Sequence, residues 1–242
     1  MRETQETIST RDGEMPTFVF HPAQVAAPLP TVIWLMDGLS IRPALRDMAS
    51  RLATAGYCVL QPYLFYRSGP YREFGAAPED VELRRSFMQA MTPELAVRDV
   101  SALIEYAGAL PASSDAPMGI VGYCMSGSWA LAAAREFSGR VSAVASVHGG
   151  YLVTDGPDSP HRNLDGIDAQ AYIAWADDDP SAPAEGIELM RRALADAAVD
   201  GEVELMSGAP HGFAPPGSDR YRRAASEKHW ERLHALFRRL QK

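Results

Sequence analysis

Residues 118–127, Met-Gly-Ile-Val-Gly-Tyr-Cys-Met-Ser-Gly, contain the side chain best suited to chemistry, Cys124. The apolar run Met118 to Val121 reads as a buried strand. Ser128 to Phe137, rich in alanine and free of glycine and proline, reads as a helix. A cysteine on the turn between them has the context of a nucleophile elbow, where most such enzymes carry serine. That turn is tight, so the residues two positions to either side must be small, and Gly122 and Ser126 are. The elbow pushes the sulfur out of the backbone. It also sets it at a helix N-terminus, whose dipole favours thiolate over thiol. Ser126 does not fit as the nucleophile, because Cys124 and Ser128 flank it where glycines are needed.

A cysteine nucleophile needs a base to take its proton and an acid to orient that base. In open α/β sheets such groups gather beyond the carboxyl ends of the strands. Asp177-Asp178-Asp179-Pro180 follows an apolar strand pattern at Ala171 to Ala176. His211-Gly212-Phe213 lies in a Pro/Gly-rich loop after Val203 to Met206. His211 can withdraw the thiol proton and later activate water. The three aspartates are equivalent by residue type, and two of them suit turn capping or solvent. The chain order nucleophile, acid, histidine is that of the α/β-hydrolases.

The elements that must carry these residues can be read along the chain. Glu6 to Thr10 and Thr17 to Phe20 flank the turn signal Asp12-Gly13 and predict a hairpin. Thr31 to Met36 is a continuous apolar run, typical of a strand covered on both faces. Leu45, Met48, Ala49 and Leu52 follow at helical spacing, with Gly56 as the stop. Tyr57 to Leu60 predicts another strand. Thr92, Pro93 and Glu94 open a further helix, whose apolar face is Val97, Val100, Ile104 and Ala107. After the elbow come a strand over Val141 to Val147, then Ala171 to Ala176, and a helix from about Ala184 to Ala198. A short strand over Val203 to Met206 precedes a final helix from about Ala225 to Leu240, with Trp230, Leu233, Phe237 and Leu240 as its buried stripe. The alternation predicts an α/β fold: a mostly parallel central sheet of about eight strands with helices on both faces. No linker or repeat interrupts it, so one domain over 1–242 without a large lid is expected. Gln61 to Met91 and Gly149 to Gln170 read as long irregular stretches that could shape a pocket.

With these motifs in order, the chain resembles the dienelactone hydrolase family, a cysteine-nucleophile branch of the α/β-hydrolases. The resemblance runs from about Thr31 to Leu240. It rests on Gly122-Tyr123-Cys124-Met125-Ser126-Gly127, on Leu52-Ala53 with Gly56-Tyr57, on Asp179 with Pro183, and on His211-Gly212-Phe213. It implies Cys124 as nucleophile, Asp179 as acid and His211 as base. It also implies the backbone N–H groups of Met125 and Gly38 as the oxyanion hole. Asp37 stands where the family carries a thiol-holding glutamate, and Pro215 stands where members acting on dienelactone carry an arginine for the substrate carboxylate. The implied activity is hydrolysis of a small carboxylic ester or lactone through a thioester acyl-enzyme. The alternatives are thioester hydrolysis or acyl transfer on the same triad, and a binding or redox-sensing protein that keeps the fold without turnover.

The rest of the chain narrows the reading. The formal net charge is −8, which argues against a nucleic-acid or anionic-membrane partner. No signal-peptide pattern and no run of about 20 apolar residues occurs, so a cytoplasmic protein is expected. Cys58 and Cys124 are the two cysteines, and Cys58 in its apolar strand reads as core. No cofactor and no metal is expected, because no histidine pair has helical metal-binding spacing and the aspartate cluster lacks the pattern of a calcium loop. A monomer or a homodimer is the expected form. Tyr123, before the nucleophile, and His148, at the end of a strand, are candidates to touch substrate or tune the thiol. Arg67 leads Arg72, Arg84 and Arg85 as the candidate for an anionic substrate group. His161 reads as a loop residue that could border the pocket. His229 and His234 read as surface or partly buried.

Overall fold

The computed structural model describes residues 1–241, and the chain forms two compact units, 1–116 and 117 onward. The boundary follows Ala116, in the loop between the helix Pro93–Ala109 and the strand that starts at Met118.

In the first unit, β1 (Arg2–Thr10) and β2 (Gly13–His21) form the hairpin that Asp12-Gly13 predicts, with Thr10 paired to Gly13. Gly13 takes φ +135, and the Thr10 hydroxyl donates to its carbonyl at 2.8 Å. β2 continues antiparallel onto β4 (Cys58–Pro62), which runs parallel to β3 (Thr31–Leu35). Every residue of β3 and β4 is buried, as the continuous apolar run at Thr31 predicts. α1 (Pro43–Thr54) buries Leu45, Met48, Ala49 and Leu52, and Gly56, at φ +94, follows its end. α3 (Pro93–Ala109) starts where expected, with the Thr92 hydroxyl accepting the Leu95 N–H at 3.3 Å. α2 (Pro78–Gln89) is a helix where an irregular stretch was expected. Its start carried signals, Pro78 at the first position and Glu79 and Asp80 in the first turn. Its core face did not, since Phe87 is its one buried residue.

In the second unit, β5 (Met118–Tyr123), β6 (Val141–Val147), β7 (Gln170–Asp178) and β8 (Gly201–Pro210) lie side by side in chain order, all parallel. Parallel neighbours require crossovers, and α4 (Ser126–Glu136) and α5 (Glu185–Asp196) supply two of them. α4 packs on β5 and β6, α5 on β8, and α6 (Arg223–Phe237) on β6, β7 and β8. Gly119 on β5 lets the last helix approach: a Cβ there would fall 2.6 Å from the Phe237 ring. Among the described residues there are eight strands and six helices, an α/β fold with mostly parallel pairing. Among the described residues no helix is long and apolar enough to cross a membrane.

Arg67, in the loop after β4, corrects an expectation. Its guanidinium donates to Asp99 Oδ2 and Oδ1 at 2.9 and 2.6 Å and to Asp12 Oδ2 at 2.9 and 2.7 Å. Four hydrogen bonds to two carboxylates commit this cation to the fold rather than to a substrate anion. Asp99 on α3 is fully buried, and burial raises its pKa although Arg67 and Tyr66 oppose the shift. Tyr66 donates to Asp99 at 2.9 Å and meets Thr10 at 2.7 Å, so the network joins the hairpin, the β4 loop and α3. Arg72 and Arg85 likewise pair with Asp80 and Glu82. Breaking a buried ion pair on one side leaves an uncompensated charge. Arg67→Met is therefore expected to lower the unfolding free energy by about 3 kcal/mol, and Arg67→Met with Asp99→Leu to recover most of it. Urea denaturation of the two variants checks this, and equal losses in both would contradict it.

Candidate active site

The turn between β5 and α4 is built around one strained residue. Cys124 holds φ +57, a left-handed backbone that a non-glycine residue rarely adopts. Gly122 makes room for it: a Cβ there would fall 2.1 Å from the Ser126 carbonyl oxygen. Ser126 occupies a position where many elbows have glycine, and its hydroxyl accepts the Tyr123 N–H at 2.9 Å and donates to the Tyr123 carbonyl at 3.0 Å. The Cys124 N–H donates to Val147 at the end of β6, at 3.1 Å. The Cys124 carbonyl accepts from Gly127 at 3.1 Å and from Gly150 at 3.3 Å. Met125 is the N-cap of α4, where backbone N–H groups lack helical partners.

The loops after β7 and β8 meet this sulfur. Of the three aspartates, Asp177 and Asp178 are exposed and Asp179 is 5% exposed. Asp177 accepts from the Gly208 N–H at 2.7 Å, and the Asp178 carbonyl accepts from the His211 N–H at 3.3 Å. Asp179 Oδ2 lies 2.5 Å from His211 Nδ1, and His211 Nε2 lies 3.0 Å from Cys124 Sγ. Ser181 fixes the other carboxylate oxygen of Asp179, through its N–H at 2.9 Å and its hydroxyl at 2.6 Å. Its signal in sequence is the Asp-Pro-Ser spacing of an Asx turn. Burial alone would lower the His211 pKa. The hydrogen bonds to Asp179 and Cys124 outweigh it and hold the imidazolium up to about 10. Burial alone would raise the Asp179 carboxyl, and its bonds to His211 and Ser181 outweigh that and lower it. Such a line can pass a proton from sulfur to imidazole while the carboxylate stabilises the cation formed.

The other candidates fall differently. Tyr123 is fully buried, and its hydroxyl meets His229 Nε2 at 3.2 Å, so this side chain faces the core rather than a substrate. His229 on α6 is fully buried too, against the expectation of a surface or partly buried residue. The polar neighbours of α6 hid that burial from a reading by type. His148 is 1% exposed and stacks edge-on to the His211 ring, with centroids 5.4 Å apart. His161 bonds to Ser159 at 2.7 Å, and His234 stacks on Trp230. In the first unit, both oxygens of Asp37 accept from Arg42, at 2.7 and 2.9 Å, and Oδ1 also accepts the Leu39 N–H at 2.9 Å. Gly38 beside it is buried, and a Cβ there would fall 2.7 Å from the Met88 sulfur. Cys58 is buried in β4, which pushes its thiol up to about 12. Among the described residues no group of three or more His, Cys, Asp or Glu is arranged to hold a metal ion.

The profile of the dienelactone hydrolase family matches residues 15–241. The chain belongs to that family. Its membership makes it a hydrolase with the family's α/β-hydrolase fold. This dienelactone hydrolase family member is 26% identical over 240 residues to a protein of Synechocystis provisionally named carboxymethylenebutenolidase, covering 98% of this chain and 96% of that one. Its fold matches a provisionally named dienelactone hydrolase of Klebsiella pneumoniae at TM-score 0.86 and 21% identity, over 98% of each chain. It also matches the dienelactone hydrolase of Anabaena variabilis at TM-score 0.69 and 18% identity, over 98% of this chain and 97% of that one.

The pair His211–Asp179 makes stability depend on pH in a set direction. The folded pKa of His211, about 10, lies above its ordinary 6.5. Its contribution is therefore complete below 6.5 and is lost as the pH rises towards 10. Asp179 is lowered, so its contribution is present above the ordinary 3.8 and is lost as the pH falls below that value. Urea-unfolding free energy is expected to decline from pH 6.5 to 10, and to decline less in Asp179→Asn. A flat profile in the native protein over that range would contradict the pairing.

Proposed function

We propose that this family member hydrolyses carboxylic esters or lactones through a thioester on Cys124. The observation that carries the reading is the continuous line of two hydrogen bonds, 2.5 Å from Asp179 to His211 and 3.0 Å from His211 to Cys124. His211 has already taken the thiol proton and stands as imidazolium when Sγ adds to the substrate carbonyl carbon. The tetrahedral intermediate carries its negative charge on the former carbonyl oxygen. The Met125 N–H, one residue after the sulfur at the head of α4, supports that charge, and the family resemblance proposes the Gly38 amide as the second donor. Losing one such donor costs about 3 kcal/mol in the barrier. The carbon–oxygen bond to the leaving group then breaks, and His211 returns its proton to the departing alkoxide oxygen. Water attacks the thioester with His211 as base, releasing the acid and restoring the thiol. Asp179 keeps the imidazole in the tautomer with Nδ1 protonated, so that Nε2 faces the sulfur. Membership of the family supports a small ester or lactone substrate, and a thioester intermediate suits activated or strained substrates such as enol esters and lactones.

Asp37 takes no step in this scheme, because Arg42 and the Leu39 N–H hold its carboxylate.

Rapid mixing with p-nitrophenyl acetate, with intact mass recorded on quenched protein, tests the scheme. The expected result is a burst of nitrophenolate, one acetyl group on Cys124, and continued turnover. Cys124→Ala is expected to abolish both adduct and turnover, and retained turnover would sink the assignment. An acetyl adduct that persists without turnover would point to acyl transfer instead.

A further inference from the structure

His148 is a buried titratable group beside the triad that this scheme leaves unused. It follows β6, and its N–H still pairs with Ala174 on β7 at 2.9 Å. Its backbone then turns to φ +40, a left-handed value for a side chain with a ring. Neither ring nitrogen has a hydrogen-bond partner among the described residues. A buried polar group without a partner and a strained backbone are both destabilising, and strain of this kind clusters at functional sites.

The surroundings say what such a ring can do. It meets three other rings, all near edge-to-face: His211 at 5.4 Å and 63°, Phe213 at 5.3 Å and 77°, and Tyr123 at 5.6 Å and 61°. Tyr123 immediately precedes the nucleophile, and Phe213 follows His211 by two residues. His148 therefore touches both the nucleophile's strand and the histidine's loop. Edge-to-face contacts restrict ring orientation as well as position. The titratable groups facing His148 are His211 and Asp179 on the loops after β8 and β7, His229 on α6, and Tyr123 on β5. Burial first, and then His211 and His229, lower the His148 pKa well below 6.5 against the weaker pull of Asp179. The ring stays neutral while His211 gains its proton.

We propose that His148 is a positioning residue: its neutral ring, locked by the left-handed backbone at the end of β6, sets the plane of the His211 imidazole between Asp179 and Cys124. The proposal rests on the reading of Cys124, Asp179 and His211 as one proton-transfer line. It differs from a general packing role because it concerns the orientation of one ring, and so the protonation of His211 and the chemical step more than substrate affinity.

Two variants of the full chain test it. His148→Asn keeps a residue type that tolerates the left-handed backbone but removes the ring. His148→Phe keeps a ring and removes both nitrogens. In His148→Asn, kcat with p-nitrophenyl acetate is expected to fall by about tenfold to a hundredfold with KM within about twofold. The His211 imidazolium, followed by NMR of histidine-labelled protein, is expected to titrate below its midpoint in the native protein measured alongside. In His148→Phe, kcat is expected to return to within about threefold of native and the His211 titration to move back with it. A His148→Asn protein with native kcat and a native His211 titration overturns the proposal. So does a folded His148→Phe protein that loses as much as His148→Asn. If His148→Asn has no cooperative melt, His148→Phe decides alone: near-native kcat and titration support the proposal, and a folded variant with neither overturns it. The NMR reading needs no turnover. A protein that never hydrolyses an ester would thus defeat the functional reading while still reporting where the His211 ring is held.

Discussion

The left-handed backbone of Cys124 is the constraint around which the second unit is arranged. At φ +57 a non-glycine residue is strained by about 1–2 kcal/mol and persists only when its neighbours hold it. Here the hold is distributed. The Val147 carbonyl at the end of β6 takes its N–H, and Gly127 and Gly150, 3 and 26 residues later in the chain, both donate to its carbonyl. These bonds need close backbone approach. Gly122 provides it on the strand side, and Gly127 and Gly149 provide it beneath, where a Cβ on either would fall 2.3 Å from Ser146 Oγ. Strand order follows from the same need. β6 must lie beside β5 for Val147 to reach Cys124, and β7 beside β6 for the aspartate loop to follow.

The same economy of loops explains why the acid and base arrive where they do. Parallel strands all end on one edge, so the loops after β5, β6, β7 and β8 are neighbours by construction. The loop after β6 is the tie between them. Gly150 bonds to the nucleophile's carbonyl, Tyr151 bonds through its N–H to the Ser181 carbonyl, and Ser181 grips Asp179. Motion at the start of that loop therefore reaches the cysteine and the aspartate together.

Much of this was legible in the sequence, and the reasons are specific. Val141–Val147 reads directly as a strand because an apolar run of that length between turn signals has few other meanings. Cys124, Asp179 and His211 stand in loops with small or turn-forming neighbours, and such neighbours leave a local record. What stayed hidden depends on long-range contacts. Arg67 looked available until two carboxylates, 32 and 55 residues away, proved to hold it. His229 read as surface or partly buried because its partner, Tyr123, lies 106 residues earlier. α2 escaped notice because a helix burying one side chain has no stripe to read.

The two thiols of the chain live in opposite surroundings. Cys58 is sealed within a strand, and burial holds its thiol in the unreactive protonated form up to about pH 12. Cys124 is partly exposed, on a turn that projects it. A soft electrophile added to the folded native chain therefore meets one competent sulfur. Folded chains therefore take up one label each, and any labelling beyond that reports chains in which Cys58 has lost its cover. A fluorescent or isotopic tag can likewise be installed at that single point without removing a competing cysteine first.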